Sequence, residues 1–177
     1  MVCPRCISTM AEILQSEELT PESIKLGEVV LPSSLSTEQK DALRKKISDC
    51  GFEWIEDEQS ILTEKIRIAT QKWVRQKGEN EKLSQYITKQ LGKDYSTLSK
   101  LFRETKGITI ERFAILHKIE YAKELLSYNQ FSVSEIAYIL KYSSVAHFSS
   151  QFKQITGYTP KAFQKSDIKQ RTSLSDL

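Results

Sequence analysis

The chain has 177 residues, 39% of them hydrophobic and 28% charged, with a net charge of +3. That is enough apolar material for one domain or two small ones. No apolar run approaches the roughly 20 residues a membrane-crossing helix needs, so a membrane span is excluded and no membrane partner is expected. The first ten residues, MVCPRCISTM, lack a basic stretch followed by an apolar core, and the expected location is the cytoplasm. There Cys3, Cys6 and Cys50 are expected to be reduced.

The charge is unevenly placed. Residues 1–60 hold 6 Lys and Arg against 12 Asp and Glu, a net of −6, whereas residues 61–177 hold 20 against 11, a net of +9. A basic C-terminal part beside an acidic N-terminal part points to a polyanion meeting one end only.

In chain order, CISTMAEILQSEEL spaces Ile7, Met10, Ala11 and Leu14 on one face of a helix. ESIKL and EVVLP are short β-prone runs around Gly27 and predict a hairpin. STEQKDALRKKISDCG predicts a helix with Ser36 or Thr37 as N-cap, Leu43 and Ile47 inward and Gly51 as its stop. FEWIE alternates Phe52 and Trp54 with Glu53 and predicts a strand. From Ser60 the pattern turns helical, with Ile61, Leu62, Lys65, Ile66, Ala69 and Trp73 on one stripe, and the polar RQKGENEK that follows predicts a linker. Six helical stretches then follow, at 82–91, 96–105, 109–127, 132–140, 144–156 and from 159 to about 166.

Two of these pairs repeat one arrangement. KLSQYITKQL, a turn, and STLSKLFRET before Gly107 are echoed by SVSEIAYILK, a turn, and SVAHFSSQFKQIT before Gly157. Leu98 and Phe102 match Phe148 and Phe152, and each second phenylalanine is followed five residues later by the glycine. A helix-turn-helix buries one face of its second helix and leaves the other free to enter the major groove of DNA. The exposed set is expected to be Ser96, Thr97, Ser99, Lys100 and Arg103 in the first copy. In the second it is Ser144, Val145, Ala146, His147 and Ser150, with Gln151 and Gln154 at the flanks. Hydroxyls can donate to or accept from base edges, and methyl groups can touch thymine. Lys100, Arg103, Lys106, Lys153 and Lys161 are the expected phosphate contacts. The helix over 109–127 joins the copies through Phe113, Leu116, Ile119, Ala122, Leu125 and Leu126. It would be roughly 28 Å long at 1.5 Å per residue, near the roughly 34 Å between successive major-groove faces.

Residues 80–166 resemble the AraC-type DNA-binding domain. The likeness is carried by KIEYAKELL, VSEIAYIL and YSSVAHFSSQFKQITGYTP with its closing AF. It implies a tandem helix-turn-helix, with the groove-facing positions falling on the two sets above. Lys118 stands where the family often has arginine, and Lys141 where it commonly has a glycine that permits a positive φ. The lysine there is expected to cost on the order of 1 kcal/mol.

MVCPRC, with the helix, hairpin, helix and strand after it, resembles a heavy-metal-associated domain of ferredoxin-like fold. The resemblance implies a soft ion at Cys3 and Cys6, since thiolates select Cu(I) or Zn(II). A dimerisation fold with no ion and a redox dithiol are the alternatives.

The sequence thus predicts an α+β chain in four parts. These are a small ferredoxin-like domain over 1–59, a connecting helix and linker over 60–79, an all-α tandem helix-turn-helix domain over 80–166 and a flexible tail over 167–177. The expected function is sequence-specific binding of double-stranded DNA by a bacterial transcriptional regulator, with an N-terminal sensing or dimerisation domain and a homodimer as a further partner. No phosphate loop or catalytic spacing is present, so an enzyme is not expected, nor any cofactor beyond that ion. A metal-handling or protein-interaction module is the competing reading.

Overall fold

The computed structural model describes residues 1, 3–76 and 81–165, so the expected tail and most of the linker's turn lie outside the described residues. The chain divides into two compact units, 1–68 and 69–177. No described helix is long and apolar enough to cross a membrane.

The first unit begins with α1 (Pro4–Ser16), β1 (Ser23–Lys25), β2 (Glu28–Val30) and α2 (Thr37–Asp49). Pro4 opens α1 at a position whose N–H would have no helical partner. Its buried face is Met10, Ile13 and Leu14, while Ala11, expected inward, is exposed. The hairpin forms where expected, pairing Ser23 with Val30, Ile24 with Val29 and Lys25 with Glu28. Its two-residue loop ends on Gly27 at φ +78°, and a Cβ there would lie 2.6 Å from Ile68 Cδ1. Ser36 caps α2 in a reciprocal box with Gln39, and Gly51 closes it at φ +75°. Leu43 and Ile47 pack on the α1 face, with Phe52, Trp54, Leu19 and Ile24 around them.

Two expectations change here. A ferredoxin-like domain needs the strand order βαββαβ, but among the described residues of this unit only β1 and β2 pair, so that fold is not confirmed. The FEWIE stretch is not a strand. Phe52 and Trp54 alternate because one side of the segment lies against the core, and among the described residues no neighbouring strand offers it a ladder.

Helix α3 (Glu58–Arg75) begins in the first unit and ends in the second. Its buried residues include Thr63, Ile66, Arg67, Ile68, Ala69, Thr70 and Val74, whereas Ile61 and Lys65, expected inward, are exposed.

The second unit continues with α4 (Leu83–Leu91), α5 (Tyr95–Lys106), α6 (Ile110–Ser127), α7 (Val133–Ile139), α8 (Val145–Thr156) and α9 (Pro160–Lys165). Each predicted helix is present, and Thr109, Ser132 and Ser144 each cap one by accepting a backbone N–H. Helix α6 is the spine: α5 packs on it from one side of the repeat, and α7, α8 and α9 from the other. The repeat runs in a fixed frame of 50 residues, from Leu98 and Phe148 to Phe102 and Phe152, Gly107 and Gly157, and Phe113 and Phe163. The ring contacts follow it. Phe102 meets Phe113 edge-on at 5.3 Å, and Phe152 meets Phe163 at 5.5 Å.

Candidate nucleic-acid interface

Each turn fixes how its second helix leaves the first. In the first copy α4 ends on Gly92 at φ +63°, and Asp94 then caps α5 by accepting the Ser96 N–H at 3.0 Å. The Ser96 hydroxyl also donates to that carboxylate, and these two bonds hold Asp94 below the usual carboxylate range. At the same end the Tyr95 hydroxyl donates to Glu111 on α6. Burial and that carboxylate push the Tyr95 phenol up.

Leu98 and Phe102 of α5 are fully buried. Ser96, Thr97, Lys100 and Arg103 are exposed on the far side and Ser99 is half-buried. A shallow concavity is lined by Ser99, Lys100, Arg103, Glu104 and Thr109, so the outward side of α5 carries two cations and one carboxylate.

In the second copy α7 ends through Lys141 at φ +58°, the left-handed geometry that glycine adopts without strain. The Lys141 N–H donates to the Tyr138 carbonyl and the Tyr142 N–H to the Ala137 carbonyl, both at 2.9 Å, which closes the helix end as a Schellman motif. The turn therefore keeps the shape a glycine would give it. Ser144 caps α8 by accepting the His147 N–H at 3.1 Å, which leaves its O–H as a donor. The Ser143 hydroxyl lies 3.2 Å from His147 Nδ1. Tyr142 donates to Gln151 Oε1 at 2.6 Å, and its ring lies 5.3 Å from His147 and 5.2 Å from Phe148.

Phe148 and Phe152 are fully buried, whereas Ser144, Val145, Ala146, His147 and Ser150 are exposed, as are Lys153 and Lys161. Gln151 is half-buried and bonded to Tyr142, so of the two flanking glutamines only Gln154 stands exposed. Among the described residues, no carboxylate forms an ion pair with Lys100, Arg103, Lys106, Lys153 or Lys161. Their charge is available to an outside anion.

What backs the second turn is not legible in the sequence. Lys118 of α6 lies over the Trp73 ring at 4.9 Å and the Tyr142 ring at 5.2 Å, and Lys141 lies over Trp73 at 5.8 Å. Burial, and then the neighbouring Lys141 charge, hold the Lys118 ammonium down to about 8. Arg75 lies over Tyr121 at 4.6 Å and pairs with Glu124 at 3.0 Å. These contacts join residues from 24 to 68 positions apart, separations that no periodicity reveals.

In the first unit the Cys3 and Cys6 sulfurs are 3.5 Å apart at the start of α1, and both side chains are partly exposed. Two adjacent soft sulfurs fit a soft ion held at two positions. Among the described residues no group of three His, Cys, Asp or Glu could hold a metal. Cys50 is exposed at the end of α2.

Comparison with known proteins bears on the helical part. Residues 87–166, under half of the chain, match the family model described as a helix-turn-helix domain. An uncharacterized HTH-type transcriptional regulator of Staphylococcus aureus is 38% identical over 82 residues, covering 46% of this chain and 10% of the relative. The chain thus spans about a tenth of the length of that curated relative. The solved C-terminal domain of AraT, a response regulator from Geobacillus stearothermophilus, is similar with a TM-score of 0.54 at 22% identity, over 66% of this chain and 92% of that one. A DNA-binding transcriptional dual regulator from Escherichia coli K-12 has a TM-score of 0.50 at 20% identity, over 59% and 89%. At such identities the likeness is one of fold. Over residues 87–166, then, the chain carries a helix-turn-helix domain.

Proposed function

We propose that this chain is a sequence-specific regulator of transcription, of the AraC type, that binds double-stranded DNA in the bacterial cytoplasm through two recognition helices. One observation carries the reading. Helices α5 and α8 each bury a matched pair of large apolar residues against the rest of the unit and leave outward a face of small side chains and cations free of ion pairs. Ser96, Thr97 and Ser99 enter one stretch of major groove, with Lys100 and Arg103 reaching its base edges and flanking phosphates. Ser144, Val145, Ala146, His147 and Ser150 read the next, with Lys153 and Lys161 on phosphates. Helix α6, at 18 residues, spans about 27 Å, which suits adjacent grooves on one face of the duplex.

The test is fluorescence anisotropy of the full chain with a mixed-sequence duplex across salt, followed by selection of bound genomic fragments. Five cations on phosphates, Lys106 among them, give a log–log salt slope of about −4.5, or about a 500-fold loss between 50 and 200 mM salt. Binding that is absent or indifferent to salt would overturn the reading.

The first unit serves as the sensing or dimerisation part, and Cys3 with Cys6 takes a soft ion. The 3.5 Å approach of the two sulfurs supports this. Cu(I) titration followed by native mass spectrometry should add one ion to the chain and none to the Cys3→Ser/Cys6→Ser variant. That same sulfur pair favours the competing reading, a metal-handling module with no DNA role, which would give ion binding and no duplex binding.

A further inference from the structure

We propose that Trp73, which lies outside both helix-turn-helix pairs, is a positioning residue that sets the aim of the second recognition helix through Lys118, Lys141 and Tyr142. The inference rests on the DNA-binding reading above and extends it to α3.

The indole is held at both ends of its own reach. Its Nε1 donates to the Glu81 carbonyl at 2.9 Å, which fixes the plane of the ring. Lys118 and Lys141 then lie over that ring at 4.9 and 5.8 Å. Two neighbouring ammonium groups repel each other, and the ring both lie over offsets the repulsion by attracting each of them. Remove the indole and the repulsion remains while its compensation goes.

Lys141 is where this matters, because it holds the left-handed conformation at φ +58° on which the turn depends. A side chain in that region is strained, and strain of this kind persists only where the surroundings over-determine it. The next residue carries the restraint onward. Tyr142 shares Lys118 at 5.2 Å, donates to Gln151 at 2.6 Å, and meets His147 edge-on and Phe148 at a tilt. A continuous set of contacts thus runs from the end of α3 to the exposed face of α8. The first copy has no need of such a strut. Its turn uses Gly92 at φ +63°, where a Cβ would meet nothing within 4 Å, and Asp94 caps its helix locally.

The experiment uses the full chain with Trp73→Leu, Trp73→Phe and Tyr142→Phe. In the free protein, amide NMR shifts should move at His147 and Gln151 in Trp73→Leu and stay in place at Ser99 and Arg103. On a genomic fragment selected by the unaltered chain, hydroxyl-radical protection should weaken at least tenfold over the segment read by α8, identified with Lys153→Ala, and persist over the segment read by α5. Trp73→Phe, which keeps a π face, should retain both segments. If Trp73→Leu fails to fold, Tyr142→Phe deletes only the hydroxyl bonded to Gln151 and should give the same one-sided weakening. Unchanged α8 amides, or equal loss over both segments in a folded variant, would overturn the inference. If the unaltered chain selects no duplex, the DNA-binding reading falls, and the amide shifts still decide whether Trp73 positions α8.

Discussion

The spine helix carries an ion pair inside its buried face, and removing one partner should show how dry that face is. Glu120 and Lys123 lie one turn apart on α6, bonded to each other, with side chains only 6% and 11% exposed. Ile119, Ala122, Leu125 and Leu126 of the same helix are buried alongside them. A pair so placed gives little net stability, because desolvation of both charges consumes most of their attraction. Removing one partner is different. Glu120→Leu leaves the Lys123 ammonium buried without its carboxylate, a change that costs about 3–5 kcal/mol, a large share of the roughly 5–15 kcal/mol that holds a typical domain. The double variant Glu120→Leu/Lys123→Met removes both charges of the pair and should recover most of that loss. Urea unfolding followed by far-UV circular dichroism measures all four members of the cycle. A single variant costing less than about 0.5 kcal/mol, the range of an exposed pair, would refute the reasoning.

Lys118, held down to about 8 from its ordinary 10.5, loses its proton in the folded state before it does so in the unfolded one. Folding stability should therefore rise as pH climbs from about 8 towards 10. Above that Tyr142, pushed from 10.0 up to about 12 by burial, works the other way. Urea midpoints at pH 7.5 and 9.5 should show the rise, and Lys118→Met should abolish it; a flat profile in the unaltered chain would mean that the ammonium is solvated. Arg103→Ala should weaken duplex binding and flatten the salt slope by about one. Unchanged affinity and slope would mean that α5 is not docked on DNA. Gly157 stands at φ +80° with nothing within 4 Å of an added Cβ, so Gly157→Ala should cost only backbone strain, about 1 kcal/mol. The melting temperature should then fall by about 4–8 °C, and no fall would mean that the turn relaxes freely.

The parts of the fold legible in the sequence are those fixed by near neighbours. Ser36, Thr109, Ser132 and Ser144 announce helix starts because a cap acts within three residues. Gly27 between two β-prone runs announces the hairpin for the same reason. The doubled frame of Phe102 and Phe152 was legible because a helix that must bury one face repeats its large residues at fixed spacing. What was not legible depends on distant partners. The alternation of Phe52 and Trp54 reports one buried side, and only the absence of a partner strand distinguishes it from a sheet. Ile13 rather than Ala11 faces the first core because α2 lies on that side of α1. Lys141 was recognisable as a residue in a glycine's place, yet the indole that accompanies it comes from Trp73, far away along the chain.

The most direct test of the central claim is methylation interference on a duplex selected from genomic fragments by the full chain. Guanine N7 lies in the major groove, so two recognition helices in adjacent grooves should give two interfering clusters on one face of the duplex, about one helical turn of roughly 10 base pairs apart. Arg103→Ala should erase only one of them. A single cluster, or two that vanish together in that variant, would contradict the account.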